Sequence, residues 1–313
     1  METGSLVIHP GALGDVLQAV PALRALRAVA PVTFLGQPRL GGLLVALGVV
    51  ERARAFDGFG LEALFMDEPA PAALARALGA FDRVVSWFGS RDETYRRRLS
   101  ALAPRAIVAP PVSDDDTPVW RHLLATLAAW DLAAPPRVEP IRLPPALAPD
   151  AAGPRPGLVV HPGSGGDWKR WPAERFATVI AAVRRSRALD VLVHRGPADA
   201  EAAGRLLALL PGPAAIVLEP ELPRLATVLG TARAYLGGDS GVSHLAAAVG
   251  APSLVLFPPS TRRRWEPWSP TAVSVEMAGA AADTERVIGE LERILEARND
   301  TARGGRSTGP APE

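Results

Sequence analysis

The chain has 313 residues, 48% of them hydrophobic, and a formal net charge of +1. That balance supports a sizeable core, fits two domains of common size and argues against wholesale disorder, and it gives no reason to expect a nucleic-acid partner. Cysteine is absent, which excludes a disulfide scaffold, a thiolate metal site and a cysteine nucleophile, and fits a reducing cytoplasm. No apolar run reaches the roughly 18–20 residues that span a bilayer. No basic segment precedes a long apolar one at the start. The expectation is a cytoplasmic protein with neither signal peptide nor transmembrane segment.

In chain order, a short apolar strand (Leu6 to Ile8) meets a Pro-Gly turn and then "DVLQAVPALRALRAVA", whose apolar residues recur at helical spacing. "VTFL" (Val32 to Leu35), "DRVVSWF" (Asp82 to Phe88) and "RAIVA" (Arg105 to Ala109) read as further strands, with "PVWRHLLATLAAW" (Pro118 to Trp130) among the helices between and after them. From Ala133 to Pro156 the text is proline-rich and reads as a linker. Alternation then restarts with "GLVVH" and continues through "LDVLVH", "AAIVL", "RAYLG" and "PSLVLF". A last amphipathic helix spans about Asp283 to Arg298, before a polar tail expected to be mobile. Strand and helix in alternation imply parallel sheets with helices on both faces. The expected organisation is a first domain over residues 1–135, a linker over 136–156, a second domain over 157–298 and a tail over 299–313.

One phrase occurs twice. "LVIHPGALGD" (Leu6 to Asp15) recurs in register as "LVVHPGSGGD" (Leu158 to Asp167), opening each half. Each copy stands where a strand's carboxyl end turns toward a helix, the edge at which open α/β sheets bind ligands. Proline after histidine keeps the histidine extended, and the glycines let another molecule approach the backbone. Two tight turns would explain the glycines but not the recurring His and Asp. Neither copy is a nucleotide fingerprint. The first lacks GxGxxG, and in the second Trp168 and Arg170 break the P-loop pattern. An NAD enzyme or a P-loop ATPase is therefore disfavoured. Lys169 is the chain's single lysine against 33 arginines; a compact ammonium kept where guanidinium is the default points to a tight site.

The third informative stretch is "YLGGDSGVSHLAAAVGAPSLVLF". Asp239 or Ser240 caps a helix whose free amides and dipole favour an anion, and Ser240 and His244, four apart, share a face. With Ser164 and Lys169 in the same crevice, this helix start would make a diphosphate cradle.

"GALGDVLQAVPALRALR", "HPGSGGDWKRWPAERFA" and "GGDSGVSHLAAAVGAPSLVLF" together resemble the three signatures of glycosyltransferase family 9, which contains the ADP-heptose:lipopolysaccharide heptosyltransferases. The resemblance spans both halves in the right order. It implies a GT-B fold: two Rossmann-like α/β domains with parallel sheets facing across a cleft, the last helix often crossing back to the first domain. It implies Asp15 as catalytic base and Lys169 as a contact to the donor diphosphate. Ser164 and Gly165 would touch the phosphates, Asp239, Ser240, Gly241 and His244 the diphosphate and sugar, and Glu219 the ribose. On the acceptor side it suggests Gly14, Arg96 and Arg97. Arg91 to Arg98 read equally as a phosphate grip and as a solvated helix face.

The implied reaction is inverting transfer of a sugar, heptose by analogy, from a nucleotide diphosphate donor, ADP-linked by analogy, to a glycolipid acceptor of the lipopolysaccharide type at the inner membrane face. Asp15 would take the hydroxyl proton, a role worth about 10²–10⁴-fold. Lys169 and the helix amides near Ser240 would stabilise the leaving group, so that neither a cofactor nor a metal is called for. "SDDDTP" (Ser113 to Pro118) superficially suggests a metal-binding D-x-D but reads as a helix start and solvated loop. Trp265 or Trp268 of "STRRRWEPWSP" is placed near the donor pocket, packing being the expected role of at least one. Rival readings are a GT-B enzyme using a UDP- or GDP-sugar, an epimerase among them, and a nucleotide-sugar-binding module without activity.

Overall fold

The computed structural model describes residues 4–132, 138–148, 155–279 and 282–304. The chain forms two compact units. The first comprises Met1–Ala148 with Arg263–Trp268, the second Pro149–Arg262 with Ser269–Glu313.

The first unit carries five parallel strands: β1 (Ser5–Ile8), β2 (Val32–Gly36), β3 (Arg52–Ala55), β4 (Arg83–Ser86) and β5 (Ala106–Val108), in the order β3-β2-β1-β4-β5. Its helices are α1 (Leu13–Gln18), α2 (Val20–Arg27), α3 (Pro38–Ala46), α4 (Ala72–Gly79), α5 (Glu93–Leu102) and α6 (Val119–Ala125). Every residue of β1 is buried, as expected of a central parallel strand covered on both faces. β3 reads Arg-Ala-Arg-Ala and is largely exposed; arginines on an edge strand keep it from pairing further. Leu6, Ile8, Leu35, Leu74, Val84, Tyr95 and Leu99 form the core on one face.

The second unit carries β6 (Leu158–His161), β7 (Val191–Arg195), β8 (Ala215–Leu218), β9 (Ala234–Gly238), β10 (Ser253–Phe257) and β11 (Ala272–Glu276), all parallel in the order β11-β10-β9-β6-β7-β8. Its helices are α7 (Ala173–Ser186), α8 (Ala200–Leu209), α9 (Leu222–Thr231), α10 (Gly241–Ala248) and α12 (Ala282–Gly304); the single turn α11 (Arg262–Trp265), between β10 and β11, falls mostly in the first unit. α7 buries Phe176, Val179, Ile180 and Val183, one helical stripe, against the sheet. Each such fully buried side chain is worth about 1.5–3 kcal/mol. α12 adds Val287, Leu291 and Leu295 to the same core.

Both strand orders are Rossmann-like, and each reverses at one place: between β1 and β4, and between β6 and β9. The repeated phrase leaves β1 in one unit and β6 in the other, so each copy borders its sheet's switch point.

Three expectations need correction. The last helix belongs to the second unit, where α12 packs on α7, β9 and β10. It also runs to Gly304, past the expected start of the tail; residues 305–313 lie outside the described residues, as do 133–137 and 149–154 of the linker. The stretch that does belong to the first unit is Arg263–Trp268. There buried Gln18 donates from Nε2 to the carbonyls of Trp265 (3.1 Å) and Glu266 (3.2 Å), and the Trp268 indole N–H donates to Leu17 O at 2.8 Å. Arg24 lies 5.6 Å from the centre of the Trp268 ring. Trp268 is thus a packing residue, because an indole with a satisfied N–H can fill a core gap that its neighbours cannot.

Candidate functional site

In the second unit, β6 ends at His161 and the chain enters "PGSGGDWK". Within it Asp167–Lys169 form one 3-10 turn, closed by Lys169 N–H donating to Gly166 O at 3.0 Å. Across the switch point, β9 ends in Gly238 and leads to Asp239. The two segments touch: a β-carbon on Gly238 would lie 3.8 Å from Lys169 O and 3.9 Å from Gly163 O. There Lys169 Nζ donates to Asp239 Oδ2 at 2.8 Å, its ammonium 5.3 Å from the Trp168 ring centre. Asp239 is buried, its side chain 6% exposed, so the lysine supplies the charge a desolvated carboxylate needs.

Ser240, not Asp239, is the N-cap of α10: its Oγ accepts the Ser243 N–H at 3.3 Å. Ser243 is held in turn by Tyr235 (2.9 Å) and donates to Gly238 O (2.5 Å). This buried hydroxyl network fixes the helix start, whose first amides have no acceptor within the helix. Gly241 opens α10 and His244 lies buried one turn on. Ser164 is buried and donates to Gly166 O at 2.6 Å, while nothing stands within 4 Å of a β-carbon at Gly165. Glu219 follows β8 and is exposed, with φ at +37°, a left-handed value that non-glycine residues adopt at a cost. Asp167, given no catalytic role, pairs with Arg170 at 2.8 Å.

Beneath this loop lies a cluster that the sequence reading did not assemble. His161 Nδ1 and His194 Nδ1 are 3.0 Å apart, and His161 Nε2 is 3.7 Å from Asp199 Oδ2. A β-carbon on Gly163 would stand 2.0 Å from Asp199 Oδ1, so glycine there lets the loop rest on the carboxylate. One Nδ1 donates and the other accepts across this contact; a proton on both would set two N–H groups against each other. Burial pushes the His161 imidazole down to about 4, and it pushes Asp199 up, opposed by the charges of His194 and Arg170.

In the first unit, Asp15 is the third residue of α1 rather than its cap. Ala12 is the N-cap, and Asp15 Oδ2 accepts the Ala12 N–H at 2.9 Å. This is the carboxylate half of a capping box whose other half alanine cannot supply. Asp15 and Gly14 are half-exposed at the end of the sheet where β1 and β4 diverge. In the same unit, a cavity of about 490 Å³ is lined by Phe65, Trp87, Phe88, Arg91, Pro110 and Val112. Arg96 and Arg97 are exposed on α5 and do not line it, and Arg98 donates to the carbonyls of Met66 and Glu68. Asp115 and Asp116 are each engaged by protein groups. Hydrogen bonds from Thr117, side chain and backbone, hold the Asp115 carboxyl down at about 2, and Asp116 lies 3.6 Å from Arg264. Among the described residues no cluster of His, Asp and Glu has metal-holding geometry. No helix among them is long and apolar enough to cross a membrane.

A model of glycosyltransferase family 9 (heptosyltransferase) matches residues 72–292. The chain belongs to that family. Lys169, Asp239, Ser240 and His244 lie inside the match; Asp15 lies before it. Curated relatives include Escherichia coli lipopolysaccharide heptosyltransferase 3, 30% identical over 116 residues (36% of this chain, 34% of the relative). Pseudomonas aeruginosa lipopolysaccharide heptosyltransferase 1 is 39% identical over 106 residues (34% and 29%). The chain thus matches about a third of the length of these relatives. Among solved structures, a family 9 glycosyl transferase from Veillonella parvula is similar with a TM-score of 0.74 at 17% identity, covering 95% of this chain and 97% of that one. E. coli heptosyltransferase WaaC with ADP gives 0.71 at 18%, covering 93% and 99%. These likenesses show the fold, which is GT-B.

Two outcomes test the site's physics. Lys169→Ala leaves a buried carboxylate unpaired and should lower unfolding stability by about 2 kcal/mol. Adding Asp239→Asn should restore much of it, as read by urea denaturation. A double variant no more stable than the single would show that the pair is not coupled. The second outcome follows from His161. Its unfolded-state value of 6.5 exceeds its folded value of about 4, so the unfolded chain takes up the proton first. Stability should therefore fall as pH drops from about 6.5 toward about 4. The urea midpoint of His161→Gln should fall less steeply through that window.

Proposed function

We propose that the chain is an inverting glycosyltransferase. It moves a sugar from a nucleoside diphosphate donor, heptose from ADP-heptose by family, to a lipopolysaccharide-type glycolipid. The single observation that carries this reading is the convergence of Lys169, Asp239 and the capped start of α10 at the switch point of the second unit. A cation and a fixed helix start together suit a diphosphate, and neither is needed to close the sheet. The solved heptosyltransferase with ADP supports the nucleotide class.

In this mechanism the donor diphosphate takes the Lys169 ammonium in place of, or alongside, the Asp239 carboxylate. As the bond from the anomeric carbon to the diphosphate oxygen breaks, Lys169 and the amides of the α10 start receive the charge that builds on the leaving phosphate. The acceptor oxygen forms the new bond at the anomeric carbon from the opposite face, and its proton passes to Asp15. Ser164, Gly165 and Gly241 let the phosphates approach the backbone, His244 and Asp239 face the donor sugar, and Glu219, held outward by its left-handed backbone, takes the ribose. The acceptor enters by the first unit, where Gly14 leaves Asp15 accessible and Arg91, Arg96 and Arg97 meet acidic groups. No metal or cofactor has a step. The enzyme works in the cytoplasm, at the inner membrane face where such acceptors lie.

Incubating the protein with ADP-, UDP- and GDP-sugars and a lipopolysaccharide-core acceptor, with products followed by mass spectrometry, tests this reading. Transfer from an ADP-sugar that survives EDTA is expected. Asp15→Asn keeps an acceptor for the Ala12 amide and removes the base, so turnover should fall about 10²–10⁴-fold. Near-normal turnover by that variant would remove Asp15 from the mechanism, and binding of no sugar nucleotide would sink the whole reading.

A further inference from the structure

The two copies of the repeated phrase differ in a way that scaffolding does not explain. His161, in the second copy, has His194 and Asp199 beside its ring nitrogens. His9, in the same register of the first copy, is equally buried at 2% exposed, yet among the described residues neither of its ring nitrogens has a side-chain hydrogen-bond partner. Leaving a buried polar group unpaired costs about 1–3 kcal/mol. A phenylalanine or leucine would fill the volume without that cost.

The surroundings of the ring say what it faces. Its edge meets the Trp87 ring, centroids 5.7 Å apart at 77°. Its backbone N–H donates to Leu35 O at 2.9 Å, and its carbonyl closes against Gly36, so the backbone is fixed. His9 Cε1, the carbon between the two nitrogens, lies 2.9 Å from the point where a β-carbon on Gly11 would stand. Asp15 Oδ2 lies 3.1 Å from the same point and Asp15 Cβ 2.8 Å. Glycine at position 11 therefore leaves a gap on which imidazole and carboxylate both close. Asp15 acts on the ring through its charge and through its backbone, and both oppose the lowering that burial imposes on His9.

We propose that His9 is a positioning residue for Asp15: its buried imidazole N–H turns to the carboxylate across the gap at Gly11 and sets which oxygen meets the acceptor hydroxyl. The proposal rests on the reading of Asp15 as the base. Oδ2 already accepts the Ala12 amide at 2.9 Å. A second donor from the ring orients the carboxylate and favours its ionised form, leaving Oδ1 for the acceptor. The proton moves from the acceptor oxygen to Asp15, and His9 keeps its own.

The test compares His9→Phe, which keeps the volume and loses the donor, with His9→Gln, which keeps a donor. His9→Phe should lower kcat about tenfold or more while the donor KM holds. The acidic limb of its kcat/KM profile should move to higher pH, and His9→Gln should recover part of both effects. An unchanged profile and kcat in His9→Phe would overturn the proposal. A second readout needs neither turnover nor a folded His9 variant: the ¹⁵N titration of the His9 ring in the wild-type protein and in Asp15→Asn. Removing the Asp15 charge should lower the ring's midpoint, and an unmoved midpoint overturns the pairing. Absence of sugar transfer by the wild-type protein would instead count against the base reading, while the NMR comparison still decides whether the two residues act on each other.

Discussion

A carboxylate nearly cut off from water cannot stand alone, and at Asp239 the compensating charge arrives from seventy positions earlier in the chain, from Lys169. That requirement organises much of the second unit. The Lys169 ammonium reaches Asp239 because the loop after β6 is short, glycine-rich and laid against Gly238 across the switch point. The loop in turn rests on Asp199, beside which His161 and His194 share a proton in a dry pocket. On the far side, the Ser240, Ser243 and Tyr235 hydroxyls lock the start of α10. The pair is neutral as a unit and partly open to solvent on the lysine side. In the proposed reaction the donor diphosphate meets the ammonium from that open side.

Repetition of one phrase in two Rossmann-like units separates what the fold needs from what the chemistry uses. Proline and the first glycine make the same strand-to-helix exit twice. The second copy spends its histidine on the scaffold, paired with groups from β7 and α8, and its aspartate on a local bridge to Arg170. The first copy places both letters at one gap: His9, without a side-chain hydrogen-bond partner among the described residues, and Asp15 on the first turn of α1.

The elements legible in the sequence are those whose burial is written locally. β1, β6, β9 and β10 are short apolar runs because both faces are covered, and α7 shows its stripe at helical spacing. β3 was not legible, since an edge strand of alternating Arg and Ala carries no apolar run. Nor was the home of Arg263–Trp268, for a Trp-rich loop does not state which core it joins; that depends on Gln18 and Leu17 lying free to receive it. At the site, Lys169 behind its glycine-rich loop and the Asp239-Ser240 pair stood out because turn and cap chemistry restrict the residues allowed there. His194 and Asp199 carried no such mark: each is a single letter, joined to His161 only by the sheet order. Asp15 lies three residues past the N-cap, and that cap is Ala12, a residue that carries no capping preference to mark the helix start.

The most direct measurement exploits the chain's single lysine. Selective ¹⁵N labelling of lysine gives the side-chain signal of Lys169 alone, which can be followed while ADP is titrated into the wild-type protein and, separately, inorganic pyrophosphate. If Lys169 is held by Asp239 in readiness for a donor diphosphate, its Nζ resonance shifts saturably with ADP, and pyrophosphate moves it in the same direction. A Lys169 signal unmoved by either ligand at millimolar concentration, in a protein whose fold is intact, would contradict that role.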